Sequence, residues 1–121
     1  MDHHATTSTT PSEELLASLR ATVGEAGVLT GPAIGEDYTH DECLSTPAAT
    51  PDVVVVPTDT AQVAAIAAAC DAEGVALTAR GSGTGLSGAA VARAGGVLLS
   101  FEAMAEILEI DTENHTATVQ P

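Results

Sequence analysis

Four consecutive β-branched residues ending in a proline, Val53–Pro57 (VVVVP), restrict the fold more than any other stretch of the chain. A strand built from them has no polar face, so it must be covered on both sides, as strands of parallel sheets are. Parallel neighbours cannot be joined by a tight turn and need a crossover, usually a helix. The next residues supply one. Asp59 is placed to cap, Gln62 three positions on can reach back, and Val63, Ile66, Ala67 and Cys70 form one apolar stripe before Gly74 ends the helix. Val75–Arg80 (VALTAR) then alternates apolar with small or polar residues as a second strand. Strand, helix and strand make a right-handed crossover unit, and the residues after Arg80 leave the carboxyl end of a parallel strand.

Those residues are Gly81–Gly88 (GSGTGLSG), with glycines at 81, 83, 85 and 88. Glycine lets backbone approach a ligand closely and adopt positive φ, and successive bare amides form a nest whose N–H groups point at an anion. Phosphate is the natural guest, and a plain glycine-rich turn between two strands is the alternative. Gly83, Gly85 and Gly88 fit the Gly-x-Gly-x-x-Gly fingerprint of doubly wound dinucleotide-binding folds, with Glu102 as the downstream carboxylate. That fingerprint needs its last glycine to open a long helix, whereas Gly95 and Gly96 break the pattern after Ala89–Ala94. A Walker loop requires a lysine, and the chain contains none.

Elsewhere, Leu15, Leu16, Leu19 and Val23 recur at helical spacing, predicting a helix over Ser12–Val23. Val28–Asp52 carries Gly31, Pro32, Gly35, Pro47 and Pro51 and reads as ordered loop. Gly96–Phe101 reads as a third strand, Glu102–Ala105 as a turn of helix, and ILEID with TATVQ as a hairpin across Thr112–His115. Residues 1–11 read as a disordered tail.

Seventeen acids against three arginines give a net charge of -14. This argues against nucleic acid or an anionic membrane as partner. It suggests adaptation to concentrated salt, where the Debye length falls to about 3 Å at 1 M; a melting temperature indifferent to salt would refute that. With one tyrosine, one phenylalanine and no tryptophan, the core should be thin. No apolar run approaches the ~20 residues that span a bilayer, and the polar start lacks the pattern of a signal peptide. A soluble, cytoplasmic protein with Cys43 and Cys70 reduced is the expectation. His40, Asp41, Glu42 and Cys43 are adjacent in sequence and cannot all converge on one ion. His3 and His4 fall in the tail, His115 in a turn, and no Gly-x-Ser-x-Gly is present. No catalytic or metal residue is assigned.

Several pieces in order carry a family resemblance: the strand ending at Pro57, the capped helix, the Arg-Gly-x-Gly-Thr-Gly-Leu-Ser-Gly loop, the Gly-Gly-Val-Leu-Leu-Ser strand, the Met-x-x-Ile-Leu-Glu-Ile-Asp segment and the final Val-Gln-Pro. Together they resemble the start of FAD-linked oxidases of the p-cresol methylhydroxylase/vanillyl-alcohol oxidase (PCMH/VAO) type, in the glycolate oxidase and D-lactate dehydrogenase branch. Upstream, Ala26–Leu44 resembles the segment preceding that domain, with Tyr38 and Asp41 on the familiar spacing.

The resemblance implies an α/β (α+β) fold, the first subdomain of a PCMH-type FAD-binding domain, with a small mostly parallel sheet, flanking helices and a C-terminal hairpin. The organisation would be a tail over 1–11, an N-terminal helix and loop over 12–50, and a partial FAD-binding domain over 51–121, truncated at its C-terminus. It assigns Gly81, Ser82, Gly83, Thr84 and Gly85 to the FAD diphosphate, Pro57 to the adenine half, and Ser87 and Gly88 to the turn beneath the cofactor. Arg80 is either a cation offsetting the phosphate charges or a structural residue paired with an acid. Some relatives attach FAD covalently through a histidine where Thr84 and Gly85 stand here, so noncovalent FAD is expected. The implied activity is oxidation of a small 2-hydroxy acid by hydride transfer to FAD, with an electron-acceptor partner and with substrate-holding residues later in the chain, so that this part has no turnover alone. Two other readings stay open: a stand-alone nucleotide-binding module and a fragment of a nicotinamide-dependent dehydrogenase.

Overall fold

The computed structural model describes residues 9–121, so the first eight residues of the tail, His3 and His4 among them, lie outside the described residues. Helix α1, Glu13–Val23, starts where Ser12 Oγ accepts from the Leu15 amide at 3.0 Å and ends at Gly24. Ser12 Oγ also donates to the Glu73 carboxylate at 2.7 Å, tying the start of α1 to the end of the second helix. Strand β1 is Val28–Thr30 and β2 is Val53–Val55.

Helix α2, Thr60–Glu73, is capped by Asp59, whose Oδ1 accepts from the Gln62 amide at 2.8 Å. Gln62 Oε1 accepts from the Thr58 amide, one residue before the cap, so the reciprocal bond is shifted from the usual box. Gly74 closes α2 in the left-handed conformation at φ 65°. The buried stripe runs through Ile66 and Cys70, with Val63 and Ala69 half-buried. Ala67 is exposed, contrary to the sequence expectation. One position beyond Ile66, it is rotated about 100° off the packed face.

Strands β3, Leu77–Arg80, and β4, Val97–Ser100, complete a four-stranded sheet of order β1-β2-β4-β3. β4 runs parallel to both neighbours, pairing Leu99 with Val55 on one side and with Ala79 on the other. The crossover strands β2 and β3 are thus parallel, as the sequence predicts, but not adjacent. β1 pairs antiparallel with β2, Val28 opposite Val55, inside a segment expected to be loop. Three residues are too few to show a period, and β1 exists because β2 offers it an edge. Two 3-10 turns, Gly31–Ala33 and Glu36–Thr39, come next along the chain.

Both faces of the central strands are covered. Val53, Val55, Val97 and Leu99 pack with Leu15, Leu19, Ile66 and Cys70 of the two helices. Val54 and Leu98 point the other way, onto Ala92, Leu29, Ile34 and Tyr38. Complete burial of each such side chain is worth about 1.5–3 kcal/mol, which is why an all-apolar run is held here.

Phe101–Ala105 forms a turn closed by the Met104 amide on the Phe101 carbonyl at 2.8 Å, not the expected helical turn. Beyond it, β5 (Ile107–Asp111) and β6 (Thr116–Val119) make the expected hairpin, a separate two-stranded antiparallel sheet. Its turn is held by Asp111, whose carboxylate accepts from the Glu113 and Asn114 amides and the Asn114 side chain. The Asn114 bonds, foremost, lower the Asp111 pKa. Ile107, Leu108, Ile110 and Val119 of this hairpin are all exposed.

Candidate functional site at the carboxyl edge of the sheet

The sheet delivers Arg80 at the end of β3, and the glycine loop rises from it. Arg80 is only 8% exposed. Its Nη1 donates to the His40 carbonyl at 2.6 Å, and its guanidinium lies against Gly83. Among the described residues the ion pair within reach is Arg20 with Glu25 at 3.4 Å, so Arg80 pairs with a carbonyl and no acid within contact distance cancels its charge. The cation sits buried beneath the loop.

The four loop glycines divide into two kinds. Gly83 (φ +73°) and Gly88 (φ +79°) are buried in the left-handed region; a Cβ on the first would overlap the Arg80 guanidinium and on the second the Thr46 hydroxyl. The chain itself requires glycine there. Gly81 has nothing within 4 Å of a Cβ, and Gly85 has only Asp41 Oδ2 at 3.9 Å. Neither has positive φ, so the protein makes no steric demand for glycine at these two positions. The space they leave is open.

Three hollows surround the loop, and Gly81 and Ser82 line all of them. One of about 410 Å³ is walled by Tyr38, His40, Glu42, Arg80, Ser100 and Glu102. A second of about 300 Å³ includes Asp41, Gly83, Thr84, Gly85, Ser87 and Ala89. The third, about 540 Å³, faces Phe101 and Met104. Among the described residues, no main-chain N–H from Gly81 to Gly88 donates to a protein acceptor. Ser82 Oγ and Thr84 Oγ1, both exposed, stand 3.2 Å apart. A concave surface of free amides and two hydroxyls over a buried cation suits a ligand with two linked anionic groups.

Of the residues singled out from the sequence, Arg80, Gly81, Ser82, Gly83, Thr84, Gly85 and Ser87 line these hollows, while Gly88 is buried at the foot of the loop. Pro57 is buried just past β2, two strands away across β4, about 10 Å at ordinary strand spacing. It lines none of the three.

Sequence reasoning singles out Ala26–Leu44, with Tyr38 and Asp41, by resemblance, but does not place it as the segment that braces the loop. The Glu42 amide donates to the Gly85 carbonyl at 2.9 Å, Arg80 holds the His40 carbonyl, and Asp41 Oδ1 accepts from the Cys43 amide at 2.9 Å. Four polar residues in a row are the available signal, but nothing local indicates a contact with a loop so distant in the chain. Beside them, the Ser45 and Thr46 hydroxyls bring the Cys43 thiol down to about 7. Tyr38 donates to Glu102 Oε1 at 2.7 Å, and both line the hollow of about 410 Å³; burial, then the Glu102 carboxylate, push the Tyr38 phenol up to about 12.

After Gly88 the chain forms turns, with the Val91 amide on the Gly88 carbonyl and the Gly95 amide on the Ala92 carbonyl. The long helix required by a nicotinamide-type fingerprint is missing, and Glu102 is engaged by Tyr38. Among the described residues no group of three His, Cys, Asp or Glu is placed to hold a metal, and no helix is long and apolar enough to cross a membrane.

Comparison with known proteins agrees with this geometry. The family model described as an FAD binding domain matches residues 51–121. An uncharacterized FAD-linked oxidoreductase of Mycobacterium tuberculosis (strain H37Rv) is 48% identical over 108 residues, covering 89% of this chain and 24% of that protein. D-lactate dehydrogenase of Anaerostipes hadrus is 42% identical over 93 residues, covering 77% and 20% respectively. The solved structure of p-cresol methylhydroxylase with substrate bound superposes with a TM-score of 0.68 at 24% identity, over 81% of this chain and 20% of that one, which identifies the fold as PCMH-type. The chain spans about a quarter of the length of the curated relatives it matches.

Proposed function

Because the chain belongs to the FAD binding domain family, with FAD as its cofactor, we propose that it is the diphosphate-cradling part of a flavin oxidoreductase that converts a small 2-hydroxy acid, of the D-lactate or glycolate kind, to the keto acid. The observation that carries the reading is the row of amides between Gly81 and Gly88 that have no acceptor among the described residues, rising from a parallel strand over the buried guanidinium of Arg80.

In this reading the amides of Gly81–Gly85 hold the diphosphate, and Ser82 and Thr84 add hydroxyl donors. Of the two senses left open by the sequence, Arg80 serves the first, supplying positive charge from below; it pairs with no acid among the described residues, and its bracing bond goes to the His40 carbonyl instead. Pro57 borders the adenine half, and Ser87 and Gly88 turn the chain beneath the cofactor. Bound FAD supplies the flavin ring that takes the hydride from the α-carbon of the substrate, while the protein orients and excludes water. The groups that hold the hydroxy acid belong to the whole protein, as does a partner that receives the electrons. With Thr84 and Gly85 in the loop and no histidine there, FAD is held noncovalently.

The test is anaerobic mixing of the purified full-length flavoprotein with a panel of 2-hydroxy acids while flavin absorbance is followed. Bleaching by D-lactate or glycolate is expected; no bleaching by any member sinks the substrate assignment and leaves the cofactor assignment standing. Acid precipitation should release all yellow colour to the supernatant, and colour retained in the pellet refutes noncovalent attachment.

A further inference from the structure

Among the described residues one buried side-chain oxygen has no hydrogen-bond partner: Asp41 Oδ2. The residue is 8% exposed and cannot swing away. Its Oδ1 is fixed by the Cys43 amide, the preceding carbonyl by Arg80, and the following amide by the Gly85 carbonyl. Oδ2 lies 3.9 Å from where a Cβ on Gly85 would stand, and Asp41 lines the hollow of about 300 Å³ that runs along Gly81–Gly85 and Ser87.

A buried oxygen left without a donor is costly, and such atoms are retained where a bound molecule completes them. A carboxylate only accepts. Phosphate oxygens also accept and carry the same charge, so Asp41 disfavours a bare diphosphate beside it and favours a neutral O–H. In a dinucleotide the diphosphate is flanked by sugar hydroxyls on both sides. We infer that Asp41 Oδ2 takes a hydrogen bond from a sugar hydroxyl of the cofactor, so that the loop selects a hydroxylated nucleotide over the naked anion. This rests on the FAD reading above and assigns to Asp41 a specificity that the loop amides alone do not have.

The experiment uses the full-length protein stripped of flavin, as wild type, Asp41→Asn and Asp41→Ala. Each is titrated calorimetrically with FAD, FMN, ADP and inorganic pyrophosphate, and each apoprotein is melted. In the variants FAD should bind about tenfold more weakly or worse, the loss expected for a hydrogen bond to a charged group. Pyrophosphate should bind as tightly as to wild type or more tightly, and the Asp41→Asn apoprotein, which keeps an oxygen for the Cys43 amide, should melt no lower. Weakening confined to FMN and FAD places the hydroxyl on the ribitol; weakening confined to ADP and FAD places it on the ribose. Equal weakening of all four ligands with a lower melting temperature shows a bracing role alone and overturns the inference, as does unchanged FAD affinity. A readout free of variants compares ADP with its 2′- and 3′-deoxy forms and FMN with ribityl-deoxy analogues on wild type; if every analogue binds like its parent, the inference fails. Wild type that binds no FAD removes the cofactor reading itself and this inference with it.

Discussion

The strand pair β2–β4 and the loop leaving β3 treat the same backbone chemistry in opposite ways. In the strands every side chain from Val53 to Val55 and from Val97 to Ser100 is buried, and the main-chain groups are used in the ladder. In the loop only Gly83 and Gly88 are buried, and the N–H groups from Gly81 to Gly88 have no acceptor among the described residues. The strands use their polar backbone groups in the sheet, whereas the loop leaves its N–H groups available. The difference separates residues whose loss should unfold the protein from residues whose loss should empty the site.

Leu98→Ala makes the sharpest cut on the floor side. Leu98 is 0% exposed between two covered faces, so denaturant titration should show a loss of about 2–5 kcal/mol. FAD affinity measured well below the unfolding transition should stay near wild type; a large affinity loss in the folded variant would break the division. Next come Gly83→Ala and Gly88→Ala, which meet positive φ and an occupied space and should each cost about 1–3 kcal/mol of stability. Gly81→Ala and Gly85→Ala meet neither, and should leave stability within about 0.5 kcal/mol while FAD binds at least about tenfold more weakly. If these two destabilise as much as the first pair, the open glycines are structural after all.

The smallest effect is read at Tyr38, by pH titration of its ring NMR signal, assigned by its loss in Tyr38→Phe. The folded protein should ionise near pH 12 and the unfolded chain near 10. The folded state therefore keeps a proton that the unfolded state gives up, so this contribution to stability is full below pH 10 and is lost as pH rises toward 12. Glu102→Gln should lower the folded value and leave it above the unfolded one, since burial, the larger cause, remains.

Much of the fold is legible in the sequence where local chemistry decides the outcome. Asp59 and Gly74 bound α2, Val53–Val55 form a strand covered on both faces, and Arg80 places the loop at a strand end. The hidden part depends on partners far along the chain. β1 is three residues recruited by the edge of β2, β4 lodges between strands that precede it, and the His40 carbonyl holds Arg80. Ala67 falls on the wrong side of the sequence expectation because an alanine-rich helix shows several plausible apolar stripes, and only packing against Leu15 and Leu19 selects one.

The strand order also dictates a schedule. The ladder partner of β3 in the four-stranded sheet is β4, which lies downstream of the glycine loop in the chain. On the ribosome the loop emerges before β3 has the neighbour that the finished sheet gives it, so the loop is expected to settle only after Val97–Ser100 has been translated. If the loop is the cradle proposed above, a variant that slows docking of β4 should delay holoprotein formation even when the finished molecule binds normally.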